Sequence, residues 1–401
     1  MDVKEFKQYQ KLISFRLRPM SVECTMKIAC TAKARELLKS SPFEDIAASK
    51  SPDFFSWHAH VYLHKRQKIL LLINDLTGFP VVLYRPRVAQ LKDFASVAIE
   101  AIREAFLEYG VKPKHVDRYF EMAGQVELTG KTSRSVLSRL TEWKVVLTST
   151  LDQCAYPPFV NNRLSQPTFS RKVFPVSWTH YEHPTDLLTN AFADALKVDE
   201  DELYDVESFE LTIRLMLKNH PVTRKVLLPA NATLDNLHRV IQSVFGWADT
   251  HQHQFLVIPK DATSIYVPTP IDIYNAENLN DPDFYDPTKP FLMDATTTIK
   301  DVMELPYDLW YEYDFGDSWT HRITLEALLR LPSRQYRLIE AIGDCPPDDV
   351  GGESGYEEFL KVMADKNHPE HEDYCGWYEV QTRHRLPPEK INLWLERGWV
   401  I

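Results

Sequence analysis

Residues 309–325 restrict the fold more than any other stretch of this chain. Leu309–Asp314 and Ser318–Leu325 flank Phe315-Gly316-Asp317. Gly and Asp tolerate positive φ, and an Asp carboxylate accepts local N–H bonds, so this turn closes the two runs into an antiparallel hairpin. Side chains alternate faces along a strand, which sets His321 on the face of Trp319, Ile323 and Leu325. Residues 233–246 read as a helix. Thr233 stands at an N-cap, Leu234, Leu237, Val240, Ile241, Val244 and Phe245 recur at helical spacing, and Gly246 stops the helix. Residues 209–217 alternate as a strand, Asn219-His220-Pro221 turns, 224–228 returns, 252–258 adds a strand and 298–303 a helical turn. Hairpin, helix and further antiparallel strands predict an α+β domain with a β-grasp-like arrangement.

A second unit precedes it. Trp57, Ala59, Val61 and Leu63 alternate with His58, His60 and His64, as in a half-buried strand with a solvated histidine face. Residues 68–74 are its buried neighbour, 75–78 a turn and 79–84 a third strand, an antiparallel meander. A helix from about Leu91 to Tyr109, stopped by Gly110, and another near 136–143 cover one face.

With 401 residues the chain has room for two or three domains. The expected division is an N-terminal α+β domain at 1–150, a connector at 151–207, the second α+β domain at 208–380 and a helical tail at 381–401. Pro157, Pro158, Pro167 and Pro175 punctuate the connector, and its acidic end at 199–207 is expected to be solvated. A net charge of −11 opposes a general electrostatic grip on nucleic acid. The longest apolar run, Ile69–Ile73, is far short of the ~20 residues that span a bilayer. The first residues are charged and carry no apolar leader segment, so a cytoplasmic protein is expected. Five scattered cysteines make no disulfide framework.

Six ordered segments carry a resemblance. They are Ala232–Gln242 with Phe245-Gly246-Trp247, His251-Gln-His-Gln-Phe255, Tyr313–His321, Cys345-Pro-Pro-Asp-Asp-Val-Gly-Gly352, Gly355–Phe359 and His368-Pro-Glu-His371. Through them residues ~208–380 resemble the plasmid pRiA4b ORF-3-like family. The resemblance implies a fold and a setting among plasmids and mobile elements, and no established activity. Residues ~25–145 resemble a small domain family of unknown function through Met26–Ala34, Trp57-His-Ala-His60 and Leu72-Ile-Asn-Asp75.

The chemistry lies in the same segments. His251 and His253, two apart on a strand, would face one way, and with His321, a Cys345 thiolate or the Asp349 carboxylate they are metal candidates, zinc among the possible ions. Asp314, Asp317, Trp319, Asp348 and Tyr356 are ligand-binding candidates. The structural alternative is that His321 is a hydrogen-bonded core histidine and that Asp317 and Asp349 hold turns. A nucleophilic cysteine would need one of the histidines as base. No complete catalytic set is present, and enzymatic activity stays open. The favoured function is a binding or regulatory module with a protein or small-molecule partner. The alternative is a metal-dependent hydrolase or nuclease with a His/Asp/Cys site. A resolvase role would require firm DNA binding, and no helix-turn-helix with a basic face is visible.

Overall fold

The computed structural model describes residues 24–38, 51–86, 90–130, 132, 134–153, 174–177, 180–182, 184–260, 262, 265–269, 271–275 and 291–396. The chain divides into two compact units, Met1–Asp152 with Pro157–Val206, and Gln153–Tyr156 with Glu207–Ile401. Both combine a sheet with helices, an α+β architecture. Among the described residues no helix is long and apolar enough to cross a membrane.

In the first unit β1 (Thr25–Cys30) leads into α1 (Ala32–Leu37), then β2 (Ser56–His64), β3 (Gln67–Asn74), β4 (Pro80–Tyr84), α2 (Phe94–Tyr109), α3 (Pro113–Ala123), β5 (Gln125–Thr129) and α4 (Arg134–Gln153). The sheet order is β4-β3-β2-β1-β5. The expected antiparallel meander is present in β2, β3 and β4. The sheet as a whole is mixed, because β1 runs parallel to both β2 and β5. Period-two alternation exposes a strand's burial but not its partner's direction, which long-range closure decides.

The histidine face is a correction. His58 and His64 are buried, and the same face carries Tyr62, Ile69, Leu71, Ile73 and Val82. Helix α4 covers that face with Val136, Leu140, Trp143 and Leu147, so helices cover both sides of the sheet rather than one. Trp143 donates to the Gly78 carbonyl at 3.2 Å and Arg139 to that of Asp75 at 2.7 Å, fixing the helix on the β3–β4 turn.

Strands β6 (Phe174–Ser177) and β7 (His180–Glu182) form a small hairpin, followed by α5 (Pro184–Leu196) and α6 (Glu200–Leu203). These last two helices lie within the stretch expected as a connector. Leu188, Ala191, Phe192, Leu203 and Val206 belong to the first unit's core, since α5 has its own apolar stripe to bury. The four prolines of the expected connector fall outside the described residues except for Pro175, which sits in β6.

The second unit runs β8 (Val206–Leu215), β9 (Val222–Pro229), α7 (Leu234–Phe245), β10 (His253–Pro259), β11 (Asp272–Tyr274), β12 (Phe291–Met293), α8 (Ile299–Met303), β13 (Tyr307–Tyr313), β14 (Trp319–Leu331), β15 (Arg337–Ile342), α9 (Gly352–Ala364), α10 (His371–Thr382) and α11 (Pro388–Glu396). The sheet order is β12-β11-β10-β13-β14-β8-β9-β15. It too is mixed, with β11 and β12 parallel. Helix α7 starts in a capping box, where the Thr233 side chain accepts from the Asn236 N–H and Asn236 accepts from that of Thr233. Gly246 ends it with φ 76°, a left-handed geometry that glycine adopts without a Cβ clash. Its apolar stripe packs Leu237, Ile241 and Phe245 into one core with Leu211, Val226, Phe255, Tyr311, Tyr313, Trp319 and Ile323.

Candidate functional site

The β13–β14 hairpin fixes the first part of the site. Asp314 has φ 56°, and its Oδ1 accepts the Gly316 and Asp317 N–H groups at 2.9 and 3.3 Å. The turn is thereby built from its own acidic residue. The Cys345–Gly352 segment is fastened to this turn. Asp317 Oδ2 accepts the Gly351 N–H at 3.1 Å, and a Cβ on Gly352 would stand 2.9 Å from the Asp317 carbonyl oxygen. Gly351 and Gly352, with φ 90° and 66°, let the backbone approach that closely.

Several sequence candidates are held in this framework, apart from any metal group. Asp348 is buried, and its Oδ2 accepts the Ala248 N–H at 2.9 Å while burial raises its pKa. Tyr356 donates to the Asp344 carbonyl at 3.1 Å. Trp319 is buried beside Trp247, and the Trp247 ring stacks on Tyr313. Burial pushes the Cys345 thiol up to about 11 despite Arg224 and Arg385, and Arg224 donates to its sulfur at 2.7 Å. His321 is fully buried among Phe245, Trp247 and Tyr311, with the Tyr311 carbonyl 3.4 Å from Nδ1. Burial lowers its pKa to about 3, so its ring is neutral.

His251 and His253 do not face the same way. Asp249 turns with φ 57°, β10 begins only at His253, and the two rings diverge. His251 Nε2 lies 3.1 Å from Asp349 Oδ1 and 3.7 Å from Asp314 Oδ2. One ligand atom from each of these residues falls within 4.8 Å of the other two. Of the metal candidates, the fold therefore joins His251 and Asp349, and adds Asp314.

His253 turns inward. Its Nε2 lies 3.3 Å from Asp294 Oδ2, and its ring stacks on His238 with centroids 3.6 Å apart and 8° between planes. His238 is the cavity-lining residue the sequence conceals, because it lies on the buried side of α7. It belongs to a closed ring of hydrogen bonds. Gln242 donates to the Tyr311 hydroxyl at 3.1 Å, Tyr311 meets His238 Nδ1 at 2.8 Å, His238 Nε2 meets Asp249 Oδ1 at 2.8 Å, and the Asp249 N–H donates to Gln242 Oε1 at 3.1 Å. Neutral His238 satisfies the ring when Nε2–H donates to Asp249 and Nδ1 accepts from Tyr311. Burial, then the neighbouring His253, lower its pKa to about 4, against the pull of Asp249. Burial would raise Asp249, but the His238 hydrogen bond brings it below its usual value. Burial raises buried Asp294, against the opposing effect of His253.

These groups line a cavity of about 340 Å³ between α7, the 249–253 segment and Asp294, with Asp235, Arg239 and Asn275 completing its polar wall. Arg239 is held by Asp235 at 3.1 Å, one helical turn away. His251 borders both this cavity and the Asp314–Asp349 group.

Family models match both units of the chain. The model of a domain of unknown function, DUF6933, matches residues 27–186. Over 158 residues the chain is 31% identical to the uncharacterized protein y4hQ of Sinorhizobium fredii, covering 39% of this chain and 73% of that protein. The crystal structure of the protein of unknown function MM3350 from Methanosarcina mazei Go1 is 27% identical, with a TM-score of 0.36, over 43% of this chain and 89% of the other. The family model described as plasmid pRiA4b ORF-3-like protein matches residues 207–393, and through its second unit the chain belongs to that family.

Proposed function

We propose that the second unit is a binding module whose ligand site is the cavity beside α7, and that the ligand is a small polar molecule bearing a cationic nitrogen. The observation that supports this is the wall itself: Asp235, Asp249 and Asp294 surround about 340 Å³ in which the only guanidinium among the described residues, Arg239, is already paired. That volume is at the lower end of small-molecule sites, ~300–1,000 Å³. Carboxylates held by hydrogen bonds before a ligand arrives need little reordering to accept an ammonium. The family's description names a plasmid protein, and a regulatory role for such capture on plasmids or mobile elements is part of this proposal.

A metal-dependent hydrolase or nuclease has less support. Cys345 is a raised, arginine-bonded thiol and His321 is sealed in the core, so neither offers an activated nucleophile or base. Isothermal titration with putrescine and agmatine tests the binding module. Saturable one-to-one binding, weakened at least ~10-fold in folded Asp249→Asn and Asp294→Asn, is expected from loss of charged hydrogen bonds. Absence of saturable heat from either amine, or equal affinity in both variants, would overturn it.

A further inference from the structure

We infer that His251, Asp314 and Asp349 form a binding site for one divalent first-row metal ion of the Zn²⁺ or Mn²⁺ class. The argument starts from how each carboxylate is used. Asp314 spends Oδ1 on the turn, accepting from Gly316 and Asp317, and leaves Oδ2 toward His251. Asp349 accepts from Gln381 through Oδ2 at 3.4 Å and leaves Oδ1 toward His251. One oxygen of each is thus tied to the scaffold and the other is presented to the same imidazole nitrogen. Tethering of this kind around ligating groups is how outer contacts orient a metal's donors.

His251 supplies a second and independent observation. Its Nε2 is covered from the surface, yet it makes no hydrogen bond to any described residue. The oxygen at 3.1 Å stands off the line that a ring N–H would need, and the one at 3.7 Å is beyond hydrogen-bond reach. A buried imidazole nitrogen without a proton partner, bracketed by two carboxylate oxygens, is a donor set rather than a completed ion pair.

Spacing agrees with that. Ligand bonds of about 2.1 Å place donors around one ion about 3.0 Å apart at right angles and about 3.4 Å apart in a tetrahedron. The 3.1 Å His251–Asp349 distance falls between these two values, the 3.7 Å His251–Asp314 distance lies slightly beyond the tetrahedral one, and all three donor atoms lie within 4.8 Å of one another. One imidazole and two carboxylates suit Zn²⁺ or Mn²⁺ better than Mg²⁺, which prefers oxygen and water.

The three residues come from separate segments that the fold brings together. His251 comes from the segment before β10, Asp314 from the hairpin turn and Asp349 from the loop that Asp317 fastens to that turn. Asp314 donates its N–H to the Gln252 carbonyl at 2.9 Å, which sets the separation of two of the donors. Asp349 takes φ 59°, a conformation that Asp and Asn tolerate better than other residues.

This site does not depend on capture of an amine. Its two carboxylates neutralise a dication, and Asp249 and Asp294 remain for the cavity. Equilibrium dialysis of the full chain, stripped with chelator and exposed to Zn²⁺ or Mn²⁺, measures it by elemental analysis. One equivalent is expected in the wild type and in Asp294→Asn, and affinity at least ~10-fold lower in His251→Gln and in Asp349→Asn. Asp349 is half exposed and Asn suits its backbone angle, so that variant should fold, and circular dichroism checks this. No metal on the wild type at millimolar concentration, unchanged affinity in both ligand variants, or loss in Asp294→Asn would each overturn the assignment.

Discussion

Two His-X-His segments, His58-Ala-His60 and His251-Gln-His253, have the same spacing and opposite outcomes. The first lies wholly within β2, so its rings share a face, and helix α4 buries that face. His58 meets Asp75 at 2.6 Å and His60 meets Thr31 at 3.0 Å, each in a packed wall. The second straddles a turn and the first residue of β10, so one ring goes to Asp349 and Asp314 and the other to Asp294 and His238. Two residues apart means one face only inside a strand. The first pair of contacts is closed by packing, whereas the second borders a cavity, which is why a ligand role is proposed only for the second.

The strongest way to probe that contrast uses two buried hydroxyls. Tyr119 in the first unit accepts from Trp57 at 2.9 Å and donates to the Phe54 carbonyl at 3.0 Å; Tyr311 in the second joins His238 and Gln242. Tyr311→Phe strips His238 and Gln242 of a partner, at ~1–3 kcal/mol each, so about 3 kcal/mol of stability should be lost, and Tyr119→Phe should cost about 2 kcal/mol because the Phe54 carbonyl keeps the Asn74 amide at 2.8 Å. Only Tyr311→Phe should also weaken amine capture, because it frees the ring that holds Asp249 in the cavity. Denaturant titration and calorimetry on both variants would separate the units. Equal binding in the two would erase the contrast.

Acid distinguishes them next. His58 has a carboxylate partner, whereas His321 has only the backbone of Tyr311, whose carbonyl lies at 3.4 Å, and of Trp319, with no described partner at Nε2. His321 has a folded pKa of about 3 and an unfolded value near 6.5. Between those values the unfolded chain holds the extra proton, so stability is full above ~6.5 and falls as pH drops toward 3. By pH 5 the loss should reach about 2 kcal/mol. His321→Leu should remove its share of that slope, about 2 kcal/mol by pH 5, leave the share of His238, whose pKa is also lowered to about 4, and cost little at pH 8, measured by urea midpoints at both pH values. Parallel acid losses in variant and wild type would show that another group titrates.

Much of this fold is written locally. Thr233, the stripe from Leu234 to Phe245 and Gly246 mark α7, and Phe315-Gly-Asp317 marks its hairpin, because caps and turns act over a few residues. Parallel pairing of β1 with β2 and β5 joins segments about thirty and a hundred residues apart, and no local pattern reports it. The second apolar face, under α4, was obscured by His58, His60 and His64, whose polarity imitates exposure. Within the site, His251, Asp314 and Asp349 could be singled out by residue type, but their approach depends on Asp317 fastening one loop to another. His238 could not be singled out, since a histidine beside Leu237 and Ile241 reads as core until the cavity next to it is seen.

The smallest expected effect falls on Thr31, the partner of His60. Its hydroxyl accepts the Ala34 N–H at 3.4 Å, capping α1, and contacts His60 Nδ1 at 3.0 Å. Thr31→Val keeps the β-branched shape and removes both contacts, which should cost about 1 kcal/mol, the usual value of an N-cap. His60 is only partly buried, so water can replace the lost hydroxyl and limit the penalty. If the first His-X-His segment is a packed wall and nothing more, adding His60→Ala to Thr31→Val should cost little beyond lost side-chain contacts. Neither amine nor metal affinity should change in the double variant. A change in either would show that the first segment also contributes a site, and the distinction between the two would fail at its least expected point.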